Sequence, residues 1–245
     1  ANPDADVIKT MLAIVNNPGR KRAPYHLVAE IRDPKNMAVA KMVGKDEVEL
    51  VLVGDLIARI IAQTCRQAGL SLVYTELLDF GGDEIYFQAE PGLVGKTFGE
   101  SLFAYADSAV MGIARPGEVP KLNPPMDTLL QPGDRLIVIS EDDDTIRLSG
   151  LAEYSLAEAA IRNGAPAAPA PERTLILGWN WRVPTIVCEL DAYVAPGSSV
   201  TVAAGIADGD RELQRGCLAR VKRQQVAFRP TDTTDRSELD QLGVA

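Results

Sequence analysis

The sequence predicts an α/β chain in which two incomplete doubly wound segments flank a small α+β module. Three observations carry this. Helix and strand signals alternate through the first 78 residues, the pattern changes near residue 80 to short strands with many glycines and prolines, and a βαβ rhythm restarts after an alanine-proline stretch at 163–172.

Taking the elements in order, residues 5–17 place Val7, Ile8, Met11, Leu12 and Val15 on one stripe, the pattern of an amphipathic helix that ends at Asn17-Pro18-Gly19. Residues 26–31 read as a buried strand, 36–42 as a short helix and 48–53 as a second apolar strand, an order that points to a parallel sheet. Asp55 is placed to cap a helix running to Gly69, with Ile57, Ile60, Ile61, Thr64, Cys65 and Ala68 on its apolar face. Residues 70–78 continue apolar without a clear break. That helix packs either on its own sheet or against another subunit, and the sequence leaves both open.

Gly81-Gly82 then punctuates the chain, and 84–88 alternates as a strand does. Residues 92–99 are glycine-rich before a short helix at 100–106, 110–114 reads as a strand, and Gln131-Pro132-Gly133-Asp134 is a tight turn into a strand at 135–140. The run NGAPAAPAPE at 163–172 has little to bury and reads as a linker. After it come strands at 174–177, 199–204 and 225–228, with helices at 183–194 and 211–222. The first segment opens on a helix with no strand before it, and the last spans only about 70 residues, short for a complete doubly wound domain.

Composition bounds the function. A chain of 245 residues exceeds the usual single core, and 46% hydrophobic with 24% charged residues is ordinary globular content. The net charge of −9 disfavours nucleic acid and anionic lipid as partners and suits cations. Cys65, Cys188 and Cys217 lack metal-ligand spacing and suggest neither a zinc site nor a disulfide framework. No apolar run nears the roughly 18 to 20 residues a bilayer requires, and the opening has no signal-peptide layout, so an attachment to a membrane would use another segment.

Several stretches resemble a known family. DPKNMAVAKMVGKDEVELVLVGDLIARIIAQTCRQAGL resembles the second half of an RCK domain, the Rossmann-like regulator of potassium channels and transporters. The stretch from GLVGKTFGES to GDRLIVISEDDDT is similar to the small C-terminal RCK lobe, and RPTDTTDRSELDQLGVA to the segment after the third RCK strand. ISEDDDT followed by ILGWNWRVPTIVCELDAYVAPGSSV resembles the CASTOR/POLLUX ion-channel family in particular. The resemblance implies the end of a first RCK Rossmann-like lobe with its crossover helix at 1–78, a TrkA-C-like lobe at 79–150, a linker at 151–173 and the start of a second Rossmann-like lobe at 174–245. It implies a homo-oligomer, from dimer to tetrameric gating ring, acting with a pore region of the same or a partner chain at the cytoplasmic face of the cell membrane.

Candidate sites are few. Glu141, Asp142, Asp143 and Asp144 form a run of carboxylates after a strand, a candidate calcium site because calcium takes six to eight oxygens in flexible geometry, though the run lacks EF-hand spacing and also fits a solvated strand end. Asp79, Asp83 and Glu84 form a weaker group of the same kind. The turn Gly178-Trp179-Asn180-Trp181-Arg182 has one glycine and two bulky residues, and the next strand ends without a ribose-binding acid, which argues against a dinucleotide in this segment. Arg182 is placed to meet an anion, or to sit on a surface beside buried tryptophans. The sole histidine, His26, has no nucleophile motif beside it, and no phosphate-binding loop is present, so the chain does not read as an enzyme. The leading reading is a ligand-sensing region of a potassium or calcium-regulated cation channel. The alternatives are a TrkA-type regulatory subunit of a potassium transporter and a fragment of an NAD-dependent oxidoreductase.

Overall fold

A computed structural model of the chain describes residues 2–151, 157–160, 164 and 168–243. The chain folds into two compact units, one made of Ala1–Ala68 with Ala167–Ala245 and the other of Gly69–Pro166. It is a mixed α/β protein. The linker at 151–173 falls partly outside the described residues.

The first unit opens with α1 (Pro3–Val15), capped by the Asn2 side chain, which accepts from the Asp4 amide at 3.2 Å. Met11 of α1 is buried with Ala29 and Ile31 of β1 (Leu27–Ile31) and Ala40 of α2 (Met37–Gly44). β1 pairs in parallel with β2 (Val48–Leu52), Leu27 opposite Val48. The buried Asp4 carboxylate ties α1 to the end of β1, accepting from the amides of Arg32 (3.0 Å) and Asp33 (2.9 Å) and from Asn36 Nδ2 (2.7 Å).

α3 (Val53–Arg66) follows β2 at once, and here the structure corrects the sequence reading. Asp55 does not cap the helix; it lies inside the first turn and pairs with Arg59 at 2.8 Å. The buried face is not the isoleucine face but Gly54, Ala58 and Ala62, while Ile61 is 41% exposed. Small residues win because Ala58 and Ala62 sit in one core with Ile186 and Leu190 of α6 (Val183–Tyr193), and close helix approach selects for size as well as hydrophobicity.

The rest of this unit is a βαβαβ run: β7 (Arg173–Leu177), α6, β8 (Ser198–Ala204), α7 (Gly209–Leu213) and β9 (Gln224–Pro230), the strands parallel and adjacent in chain order. This is the arrangement of half a Rossmann-type sheet. Its core joins Val183 and Val187 to Val200, Val202, Leu213 and Cys217. The helix expected over 211–222 is instead five residues of α-helix followed by a π-helical turn at Gln214–Leu218. Close contacts explain the irregularity: a Cβ on Gly216 would lie 2.5 Å from Pro184 Cβ, and one on Gly209 2.2 Å from the Phe228 ring. Asp191 accepts from the amides of Lys222, Arg223 and Gln224, which fixes the start of β9. A short α8 (Arg236–Asp240) follows, capped by Asp235.

The helix expected to run to Gly69 stops at Arg66, where Gln67 turns extended, so residues 70–78 do not continue it; in the second unit α4 (Leu70–Glu76) is separate and starts from Gly69 at φ 87°. An antiparallel sheet follows in the order β3 (Glu84–Gln88), β6 (Arg135–Ser140), β4 (Ala109–Ala114), β5 (Lys121–Leu122). Phe98, Tyr105, Leu130, Leu136, Val138 and Ile146 form its core. The helix expected at 100–106 is one turn, α5 (Phe98–Ser101), held by a capping box in which Thr97 and Glu100 bond each other's backbone amide. Those bonds to Thr97 hold the Glu100 carboxyl below its ordinary range.

Candidate functional site

A crevice of about 990 Å³ in the first unit lies at the carboxyl ends of β1 and β2 and at the turn after β7. Open α/β sheets bind ligands at such strand ends, because helix starts and loop amides converge there. One wall carries Glu30, Arg32, Asp33 and Lys35 from the end of β1 and Leu52–Asp55 from the β2–α3 junction; the other carries Trp181, Arg182, Pro184 and Thr185 before and within α6, with Glu212, Arg215 and Gly216 beside them.

Most charges in the crevice are already paired. Arg32 meets Glu30 at 3.4 Å, Arg215 meets Glu212 at 3.7 Å, and Asp55 meets Arg59, which also reaches Glu189 at 3.5 Å. Among the described residues, Lys35 and Arg182 take part in no ion pair. Arg182 lies 4.5 Å over the Trp181 ring, and its Nε is buried without a hydrogen-bond partner. Trp181 is 59% exposed and Trp179 is half-buried, meeting Phe228 edge-on at 6.2 Å, so neither tryptophan is buried as the sequence reading expected. The Trp181 ring edge rests on Gly54, where a Cβ would come within 2.3 Å of it. Two unpaired cations beside an exposed aromatic surface suit a planar or anionic small molecule.

The acidic run has a different setting. Antiparallel pairing sets Glu84 opposite Ser140, so the two acidic groups that are distant in sequence, Asp83-Glu84 and Glu141 to Asp144, come to the same end of the sheet. Tyr86 registers this: its hydroxyl donates to Glu84 at 2.8 Å, and that bond, with burial and the nearby charges of Glu84, Asp142 and Asp143, pushes its pKa up to about 12. Glu141, Asp142, Asp143 and Asp144 are all exposed, and Asp142 is engaged as the cap of a short 3₁₀ turn, accepting from the Asp143 amide at 2.7 Å. Among the described residues, no group of three or more His, Cys, Asp or Glu is arranged to hold a metal ion. His26 lies just before β1 and does not line the crevice.

Sequence reasoning had singled out Arg182 but missed Lys35 and Arg215. The Pro34-Lys35 pair directly after a strand was the available signal for the first. Nothing local signals the second, because its place depends on the π turn.

The family relation rests on sequence matches. Residues 54–154 match a family profile described as "Castor and Pollux, part of voltage-gated ion channel". The chain is similar in sequence to proteins named CASTOR and POLLUX. A rice protein (Oryza sativa subsp. japonica) named "Probable ion channel CASTOR" is 33% identical over 85% of the chain, and the Lotus japonicus "Ion channel CASTOR" is 32% identical over 85%. The match covers 23% and 24% of those relatives, so the chain spans about a quarter of the CASTOR length. A solved structure titled "Crystal Structure of the GsuK RCK domain" overlaps 57% of this chain and 29% of its own, at 23% identity and a TM-score of 0.24. Among the described residues no helix is long and apolar enough to cross a membrane.

Proposed function

We propose that this chain is a ligand-sensing part of the gating region of a CASTOR/POLLUX-type cation channel, working as an oligomer at the cytoplasmic face of the membrane. The observation that carries the reading is the relation, over 85% of the chain, to proteins named as ion channels. The crevice supports it. Its walls come from segments separated by the whole second unit in sequence, so a ligand bridging Lys35 and Arg182 would bind one spacing of the walls better than another. Only such differential affinity lets a ligand shift a conformational equilibrium. The acidic run beside β6 is where calcium would enter the same scheme, drawing together carboxylates that stand apart without it.

The test uses the full-length protein reconstituted in lipid vesicles, with cation flux followed as calcium is added to the face bearing this region. Flux above that of empty vesicles, modulated by calcium and altered in a variant combining Asp142→Asn, Asp143→Asn and Asp144→Asn, supports the proposal. Flux that needs a separate pore protein points to a transporter subunit, and the absence of any flux overturns the channel reading.

A further inference from the structure

Cys188 and Cys217 lie far apart in sequence but side by side in the first unit. Cys188 is on α6, partly exposed, and its Sγ lies 3.8 Å from the carbonyl oxygen of Cys217. Cys217 is 2% exposed inside the π-helical turn, its Sγ 3.4 Å from the Leu213 carbonyl. The backbones approach closely at the neighbouring level too, where Gly216 leaves no room for a Cβ against Pro184, one helical turn before Cys188. A disulfide needs such an approach, since its Cα atoms lie roughly 4.4 to 6.8 Å apart. The π turn, a feature that recurs at functional sites, is what aims residue 217 at α6.

We propose that Cys188 and Cys217 form an oxidisable pair, in which a hydroperoxide oxidises Cys188 and Cys217 then closes a disulfide across α6 and the π turn. In the first step the Cys188 thiolate attacks the terminal oxygen of the hydroperoxide. The O–O bond breaks, sulfur gains the oxygen as a sulfenic acid, and the departing alkoxide takes a proton to become an alcohol. In the second step the Cys217 sulfur attacks the Cys188 sulfur, the S–O bond breaks, and the hydroxyl leaves as water with the Cys217 proton. The thiols together lose two electrons and the hydroperoxide gains them.

The roles follow from the surroundings. The neighbouring Cys217 thiol favours the Cys188 thiolate, Arg220 adds to this, and burial works against it; the net effect lowers the Cys188 pKa. The same pairing, together with burial, drives Cys217 up, which suits a resolving thiol that reaches no oxidant directly. Pro184 and Thr185 on α6 and Arg215 and Gly216 on the π turn line the crevice, so the disulfide would fix the spacing of one of its walls.

The experiment treats the full chain carrying Cys65→Ser with tert-butyl hydroperoxide, without denaturant, and maps peptides by mass spectrometry. The expected product is a peptide pair joining Cys188 to Cys217 that dithiothreitol reverses. In Cys217→Ser, Cys188 should stop at the sulfenic acid and take up dimedone; in Cys188→Ser, Cys217 should label at least about ten times more slowly. The proposal is overturned if both thiols survive oxidant while the chain stays folded by circular dichroism, if the disulfide forms only in urea, or if Cys217 labels first. None of these readouts depends on channel activity.

Discussion

Replacing Asp4 with alanine should destabilise the first unit by about 2 to 3 kcal/mol, because the carboxylate is buried and is the shared acceptor for three donors. Losing a charged acceptor costs about 1.5 to 3 kcal/mol per bond where the donor stays dry. Arg32 and Asp33 are exposed residues, so water reaches part of what Asp4 vacates and the total falls well below three full bonds. Asp4→Asn keeps the shape and one acceptor but turns an amide toward a donor, and should cost about half as much. Both tryptophans, Trp179 and Trp181, belong to the first unit, so urea unfolding followed by their fluorescence reports on it selectively. The midpoint should fall while the slope stays constant. The pH dependence is a second readout. Bonds from Asn36 and then from the Asp33 amide hold the folded carboxyl below its ordinary 3.8, so its contribution is complete above about pH 5 and fades as pH falls through the lowered folded value. The gap between wild type and Asp4→Ala should therefore be flat from neutral pH to about pH 5 and close in stronger acid. A deficit under about 0.5 kcal/mol, or one unchanged down to the acid limit of folding, would refute the capping role.

Calcium should raise the melting temperature saturably with a midpoint on the order of 1 mM, more than magnesium does at matched ionic strength, and the triple Asp142, Asp143, Asp144 to Asn variant should erase the difference. NAD and ATP should give no saturable heat below about 1 mM in calorimetry, because the β7–α6 turn offers one glycine and β8 ends without an acid. Self-association is expected through exposed apolar residues of α3, among them Leu56 at 50% and Ile61 at 41% exposure; light scattering at tens of micromolar should show at least a dimer, reduced to monomer by Leu56→Glu with Ile61→Glu.

Strands were the most legible elements, because runs such as Val48–Leu52 and Arg135–Ser140 combine β-branched residues with clear punctuation. Helix faces were less so. α3 advertises its isoleucines by period and hydrophobicity, yet buries Gly54, Ala58 and Ala62, since the partner helix arrives from more than a hundred residues away and sequence periodicity does not encode its distance. The helix at 211–222 was overestimated for a related reason: Gly209 and Gly216 look like weak helix residues, but their role is to admit Phe228 and Pro184. The acidic run was visible as composition, while its meeting with Glu84 needed the strand register. Lys35 and Arg215 became candidates only once the crevice existed.

The first unit is assembled from two stretches with Gly69–Pro166 lying between them in the chain, and this has a kinetic consequence. Contacts such as Ala58 with Ile186 close a loop of over a hundred residues, whereas β3, β4, β5 and β6 meet within a much shorter span. During synthesis the Ala58 and Ala62 face of α3 waits exposed until α6 emerges, while the intervening unit can complete itself beforehand. The order of folding therefore runs from the middle outward. A delay in the arrival of α6 would leave that α3 surface uncovered for longer, and such failures would surface as aggregation of the newly made chain.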